Sequence, residues 1–165
     1  MAESTVGLIA GNYSKFAVKS KDSNPAIHWL ITSSGKLEKE VLVSSLTAAP
    51  TDTNAVYKLS TVADLSKIAD WVNRGSALEN IRIKLTSDIT IPSDYVSIGS
   101  CTNTVENGNY MDSSNKPFKG IFDGNNKTIT FESSSSALFG YAESAEISNI
   151  KTKGTFTANT SKSGT

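Results

Sequence analysis

At 165 residues the chain has room for one domain, or for one small domain and a fragment of another. Lys and Arg number 16, as do Asp and Glu, so no basic excess marks a nucleic-acid or anionic-membrane partner. Ser, Thr and Asn number 25, 17 and 13, together 55 of the 165 residues. Small polar residues in that proportion suit the outward strand faces and tight turns of extracellular β proteins.

Residues 5–32 read as strands. Tyr13, Phe16 and Val18 precede a turn over Lys21-Asp22-Ser23-Asn24-Pro25, and Ile27, Trp29 and Ile31 then alternate with period two. The phrase Leu8-Ile9-Ala10-Gly11-Asn12-Tyr13, with Val18 and Asp22, resembles the last strands of an Ig-like surface domain. Between 37 and 46 the pattern is ambiguous: Leu37, Val41 and Leu42 fit a helical face, while Val41-Leu42-Val43 fits a strand. The run Ala48-Ala49-Pro50-Thr51-Asp52-Thr53-Asn54 is the best linker candidate. It divides an N-terminal β segment, 1–50, from the remainder, 51–165.

The clearest helix begins after Thr61, an N-cap with a carboxylate, Asp64, three residues on. Val62, Leu65, Ile68, Ala69 and Val72 form one apolar stripe with Trp71 beside it, and Gly75 stands where a glycine would close the helix after Arg74. Ile81, Ile83 and Leu85 then alternate with Arg82 and Lys84 as a half-buried strand. Ile89 and Ile91 continue it until Pro92. Further on, short strands are each spent within a few residues and joined by turns of Gly, Asp and Asn. Lys127-Thr128-Ile129-Thr130-Phe131 and Asn149-Ile150-Lys151-Thr152-Lys153 end alike. Ile129 and Ile150 are 21 positions apart, within the length range of one solenoid coil.

Several phrases carry a resemblance: Ile98-Gly99, then Phe118-Lys119-Gly120, Phe122-Asp123-Gly124-Asn125 with Ile129, then Leu138-Phe139-Gly140, and finally Ile147-Ser148-Asn149-Ile150. Together they resemble the start of the right-handed parallel β-helix domains (pectate-lyase-like, GLUG-motif type) of bacterial surface and secreted proteins. The match covers roughly residues 57–157 and departs at Asn126, where that family usually has Gly; Asn also reaches the left-handed region. The resemblance implies a mainly β fold, the N-terminal end of a right-handed parallel β-helix with one amphipathic capping helix, preceded by a small β segment. Residues 61–74 are then expected to cover the exposed core cross-section and free strand edges at the end of the coil. An ordinary helix packed on a small α+β domain is the alternative. Phe118, Phe122, Phe131, Phe139 and Phe156 are expected to stack inside, and Ile83, Leu85, Ile89, Ile91, Ile129, Leu138, Ile147 and Ile150 to point mostly inward from stacked parallel strands over 81–157.

No constellation reads as an active site, and no cofactor is called for. His28 is the one histidine and Cys101 the one cysteine, which leaves neither a His-x-x-x-His pair nor an internal disulfide or zinc set. Asp123-Gly124-Asn125-Asn126 superficially resembles a calcium loop, but Thr128 and Ser134 occupy the positions that need Gly and Glu. The expected structure is a turn in which Asp123 caps amides while Gly124 and Asn126 take positive φ. Asp123, Glu132 and Glu146 are too scattered to pair for glycoside chemistry. Tyr95, Tyr110 and Tyr141 fall in loops and are the candidate ligand contacts, as a stacking platform for sugar.

No apolar run approaches the roughly 18–20 residues of a membrane span. Met1-Ala2-Glu3-Ser4-Thr5 lacks the basic and apolar regions of a secretion signal. The expectation is a segment of a longer exported polypeptide, extracellular or at the cell surface, whose signal and anchor lie elsewhere. Its expected role is structural or adhesive, with carbohydrate or a host surface protein as partner and the 99–117 loop as displayed surface. The alternatives are the N-terminal part of a polysaccharide lyase or glycoside hydrolase with catalytic residues beyond 165, and a phage tail-spike head of the same architecture. The tail after Phe156 carries no apolar pattern to cover the last strands, which predicts end-to-end association.

Overall fold

The computed structural model describes residues 18–19, 27–101, 104–106, 109–111, 114–132 and 137–154. Within them the fold is mainly β with one helix. The expectations placed on Tyr13, Phe16, the 21–25 turn, Phe156 and the 157–165 tail lie outside the described residues.

Strands β1 (Val18–Lys19), β2 (Ile27–Ile31) and β3 (Leu37–Leu42) pair antiparallel in sequence order. A single 3-10 turn, Val43–Ser45, ends β3, so the ambiguous 37–46 stretch is a strand and then a turn. Strand β4 (Ala55–Leu59) runs parallel to β3, and β5 (Arg82–Leu85) runs parallel to β4. The stretch 48–54, expected as a linker, is held down: Lys39 Nζ reaches Asp52 at 2.9 Å, and the Tyr57 hydroxyl donates to the Asp52 carbonyl at 3.2 Å. The seven-stranded sheet accordingly continues across it.

From β5 onward the chain alternates between two parallel sheets. After β6 (Ile89–Ile91) come a β7 (Thr104–Glu106) and β8 (Asn109–Met111) hairpin, then β9 (Ile121–Asp123), β10 (Thr128–Phe131), β11 (Glu146–Ser148) and β12 (Lys151–Gly154). The first sheet has the order β1-β2-β3-β4-β5-β9-β11 and the second β12-β10-β6. Each pass of the chain therefore leaves one strand in each sheet. Segments 121–123 and 128–131 do not fold onto each other as a hairpin; each pairs in parallel with the strands one pass before and one pass after.

Register determines what is buried. Ile83, Phe122 and Ile147 align across the first sheet, and Ile89, Ile129 and Thr152 across the second. Side chains alternate across a strand, so whole rows point inward together. Ile83, Leu85, Ile89, Ile91, Phe122, Ile129 and Leu138 are buried in one continuous cluster, and Ile150 packs partly against it. Phe139 adds a ring 5.3 Å from Phe118 and 5.4 Å edge-on from Phe122. Two expectations fail here. Ile147, expected inside, is 43% exposed, because β11 is the last strand of its sheet and no described strand covers it beyond. The repeat linking Ile129 to Ile150 is also off by two: Ile129 pairs with Thr152, because Asn149 (φ 55°) and Ile150 are both taken up by the turn between β11 and β12.

Helix α1 (Val62–Asn73) follows its sequence signals closely. Thr61 Oγ1 accepts from the Asp64 amide at 3.1 Å, while Asp64 Oδ2 accepts from the Thr61 and Ser60 amides at 3.1 and 2.9 Å. That reciprocal arrangement satisfies donors the helix itself leaves unpaired. At the far end Gly75 takes φ 105°, and the Gly75 and Ser76 amides return to Val72 and Trp71, a Schellman closure. Leu65, Ile68, Ala69 and Val72 are buried in the same core as the strands, with Val62 and Trp71 half-buried beside them.

The helix is the crossover between the adjacent parallel strands β4 and β5. Its neighbours are the 43–45 turn and β6, the terminal strand of the second sheet. Covering the end of the core is thus divided: β4, itself paired with β3, hydrogen-bonds along the backbone edge of β5, and α1 lies against β6.

Candidate ligand cleft

A cleft of about 460 Å³ lies between α1 and the segment after β6. Its apolar walls come from Val62, Ala63 and Ala69 on the helix and from Pro92 and Val96 opposite. Asp70, Asn73, Asp94 and Tyr95 supply the polar groups. Amphipathicity explains the near wall: the helix turns Leu65, Ile68 and Val72 to the core, which leaves the flank bearing Ala63, Ser66 and Asp70 to face the cleft. Pro92 ends β6 by removing a ladder donor, and the Tyr95 amide closes back on the Pro92 carbonyl at 3.2 Å.

The far wall is fastened to the next pass of the chain. Ser97 Oγ donates to the Ala137 carbonyl at 2.6 Å and the Ile98 amide donates to the Leu138 carbonyl at 2.9 Å. Asn73 Nδ2 donates across the cleft to the Ser97 carbonyl at 3.0 Å, tying helix to segment. This leaves Asn73 Oδ1 buried without a partner, and the Tyr95 hydroxyl is in the same condition. Only 5% of Tyr95 is exposed, and burial pushes its phenol well above the usual tyrosine range, so it remains a neutral hydroxyl at any physiological pH. Buried polar atoms are nearly always hydrogen-bonded, so these two, each closed off from solvent and from the cleft alike, are costly exceptions in the packing between helix and segment.

The three tyrosines do not make one stacking platform. Tyr95 has its ring inside the protein and offers a hydroxyl, not an aromatic face. Tyr141 is half-buried after Gly140, with its carbonyl accepting from the Phe118 amide. Tyr110 is placed through its backbone, on β8 opposite Val105; its side chain lies outside the described part. No sequence signal distinguished Asn73, which sits on the polar side of a helix and reads as an ordinary surface residue.

The outward face of the first sheet carries the charges. Glu40 meets Lys58 at 2.8 Å and Glu38 meets Arg82 at 2.9 Å there, while Lys39, on the opposite face with Val41, meets Asp52 at 2.9 Å at the sheet's end. His28 stands on β2 in register with Glu40. Register also makes Asp123 and Glu146 diagonal neighbours on one face, beside Arg82 and Lys84. Asp123 is already engaged: Oδ1 accepts from the Asn125 amide at 2.8 Å and from Asn149 Nδ2 at 2.9 Å. Partial burial opposes its ionisation, but these bonds and nearby Lys84 outweigh it and hold the carboxyl below its ordinary range. Such a group is a poor proton donor at neutral pH. The turn after it takes positive φ at Asn125 and Asn126, not at Gly124 as the sequence suggests.

Among the described residues no group of three or more His, Cys, Asp or Glu is placed to hold a metal ion, and no helix is long and apolar enough to cross a membrane. Cys101 is exposed. No protein-family model matches the chain, and neither a curated protein nor a solved structure matches it.

Proposed function

We propose that the chain is a non-catalytic structural or adhesive segment of a bacterial cell-surface protein, built on the N-terminal end of a right-handed parallel β-helix and presenting surface to carbohydrate or a host protein. One observation carries this reading. The strands β5, β9 and β11, and in parallel with them β6, β10 and β12, stack pass upon pass in fixed register around a shared core. A stack of that kind gains stiffness from nearest-neighbour contacts, which suits a stalk. The hairpin β7–β8 leaves the stack between Ser100 and Lys116 and is the natural place for displayed surface.

The rival reading, the beginning of a polysaccharide lyase or hydrolase, draws on the gathering of Asp123, Glu146, Arg82 and Lys84 on one outward face. Against it stand the engagement of Asp123 by Asn125 and Asn149 and the pairing of Arg82 with Glu38. The deciding experiment applies the full chain to glycan and extracellular-matrix arrays and incubates it with polysaccharides while new reducing or unsaturated ends are measured. Binding without cleavage is expected. New chain ends that disappear in Asp123→Ala and Glu146→Ala variants would overturn the non-catalytic reading in favour of the enzyme.

A further inference from the structure

We infer that the cleft at the N-terminal ends of β3, β4 and β5 docks an acidic peptide segment of a protein partner, with an apolar side chain on Trp29 and Leu37 and carboxylates on the cationic rim.

The cleft, about 580 Å³, opens where three parallel strands begin, between the end of the 32–36 turn, residues 52–54 and the first residue of β5. Register builds its apolar part. Trp29 stands directly opposite Lys39 and Ile31 opposite Leu37, so Trp29 and Leu37 are diagonal neighbours on one face of the sheet. Trp29 is half-buried and Leu37 is 52% exposed, and both line the cleft. An accessible aromatic ring beside an accessible leucine is the kind of surface that protein interfaces bury.

Charge then selects the partner. Lys36, Lys39 and Arg82 line the cleft against a single carboxylate, Asp52. Lys39 and Asp52 neutralise each other at 2.9 Å, and Arg82 is met at 2.9 Å by Glu38, which does not line the cleft. Lys36 is exposed, and among the described residues it forms no ion pair. The surplus is therefore the charge of Lys36, joined by the N–H donors that one carboxylate apiece leaves over on Arg82 and Lys39. These groups reach solvent: the Arg82 side chain is 41% exposed and that of Lys39 28%. Donors left over call for a ligand group that only accepts, which a carboxylate does. A neutral apolar segment would strip water from Lys36 without replacing its hydrogen bonds. A nucleic acid needs a broad basic surface, and the chain as a whole has no net charge.

The walls are fixed before a partner arrives. The Lys36 amide donates to Thr32 Oγ1 at 3.1 Å and the Thr32 amide to the Lys36 carbonyl at 2.8 Å, which holds one lip. Asp52 Oδ1 accepts from the Asn54 amide at 3.0 Å and holds the other. Preorganisation of that kind lowers the ordering cost of binding.

The site specifies the host-protein side of the adhesive reading above and rests on it, but the two fail separately. The test titrates the full chain with acetylated, amidated tripeptides and follows the indole N–H of Trp29 by NMR. The indole of Trp71, which does not line the cleft, is the internal control. Phenylalanine between two aspartates should give a saturable shift at Trp29 alone. Asparagines in place of the aspartates keep the shape and remove the charge, and should weaken binding by about fivefold or more. Lys36→Glu, at an exposed position, should leave Tm unchanged and weaken the aspartate peptide by about the same factor. Alanine in place of the phenylalanine should abolish the shift. No saturable shift at Trp29, or equal affinity for the asparagine peptide, would overturn the proposal, and so would undiminished binding by Lys36→Glu. A methyl glucuronide that bound more tightly than the aspartate peptide would make the occupant a sugar acid and overturn it too. Matrix-protein binding on the arrays that survives in Lys36→Glu would remove this cleft as the docking site while leaving the adhesive function standing.

Discussion

Gly124 tests the stacking of successive passes with a single methyl group. Its backbone is not in the left-handed region, so conformational freedom is not what requires glycine there. The constraint is space: a Cβ at 124 would lie 2.6 Å from the Asn149 carbonyl oxygen and 2.8 Å from the Ile150 Cα, both main-chain atoms of the next pass. Neither can rotate away, so Gly124→Ala must lift that pass. The overlap costs about 1–3 kcal/mol as overpacking. Stretching the Gly124 amide bond to the Ser148 carbonyl, now 2.8 Å, adds about 1 kcal/mol. Against these stands about 0.4–1 kcal/mol gained by restricting the unfolded chain. The net expectation is destabilisation of roughly 1.5–3 kcal/mol, read as a lower urea midpoint at unchanged slope. A neutral or stabilised Gly124→Ala would mean that nothing sits over residue 124, and the parallel arrangement of β9 and β11 would be refuted with it.

Other perturbations follow from the same geometry. Asp123→Ala should cost roughly 1–2 kcal/mol at pH 7, less than a fully buried charged acceptor because the group is partly solvated. Since folding lowers this carboxyl below its ordinary 3.8, its contribution is complete above that pH and fades as pH falls through the folded value. The parent and the variant should therefore converge in urea midpoint toward pH 2; a gap as wide there as at pH 7 would exclude this carboxylate as the cause. Leu65→Asp, at a fully buried helix position, should lose roughly 3 kcal/mol or more in denaturant titration through an unpaired charge in an apolar site. Thr61→Ala removes the cap bond to Asp64 and should lower Tm by roughly 2–4 °C, the equivalent of about 1 kcal/mol.

What the sequence disclosed is what local chemistry controls. Thr61, Asp64 and Gly75 act within a turn of their own positions, and all three hold their expected places at the ends of α1. The alternation of Ile83 and Leu85 with Arg82 and Lys84 is likewise a property of one strand. Register is different, because it depends on how many residues each turn consumes: Asn149 and Ile150 are both spent between β11 and β12, so the partner of Ile129 is Thr152. The burial of Tyr95 was hidden for a related reason: it sits in a short irregular stretch, Ser93-Asp94-Tyr95-Val96-Ser97, with no periodic pattern, and its surroundings come from a helix more than twenty residues earlier. The orphaned Asn73 oxygen depends on which way one amide is turned, a choice set by the Ser97 carbonyl and written nowhere in the local pattern.

The neck of the loop that begins at Ser100 has a consequence for how this protein can change. Ser100 and Lys116 exchange two backbone hydrogen bonds, 3.0 and 2.8 Å, and so close the loop at its base before the chain returns to Phe118. The base is therefore stitched by main-chain bonds that do not depend on which side chains lie beyond it. Because a longer loop adds closure entropy only slowly, the frame should accept extra residues beyond that stitch with little loss. This makes the segment past Ser100 the place where lineages could lengthen or recode the protein without renegotiating the core, and where a foreign epitope could be grafted in the laboratory.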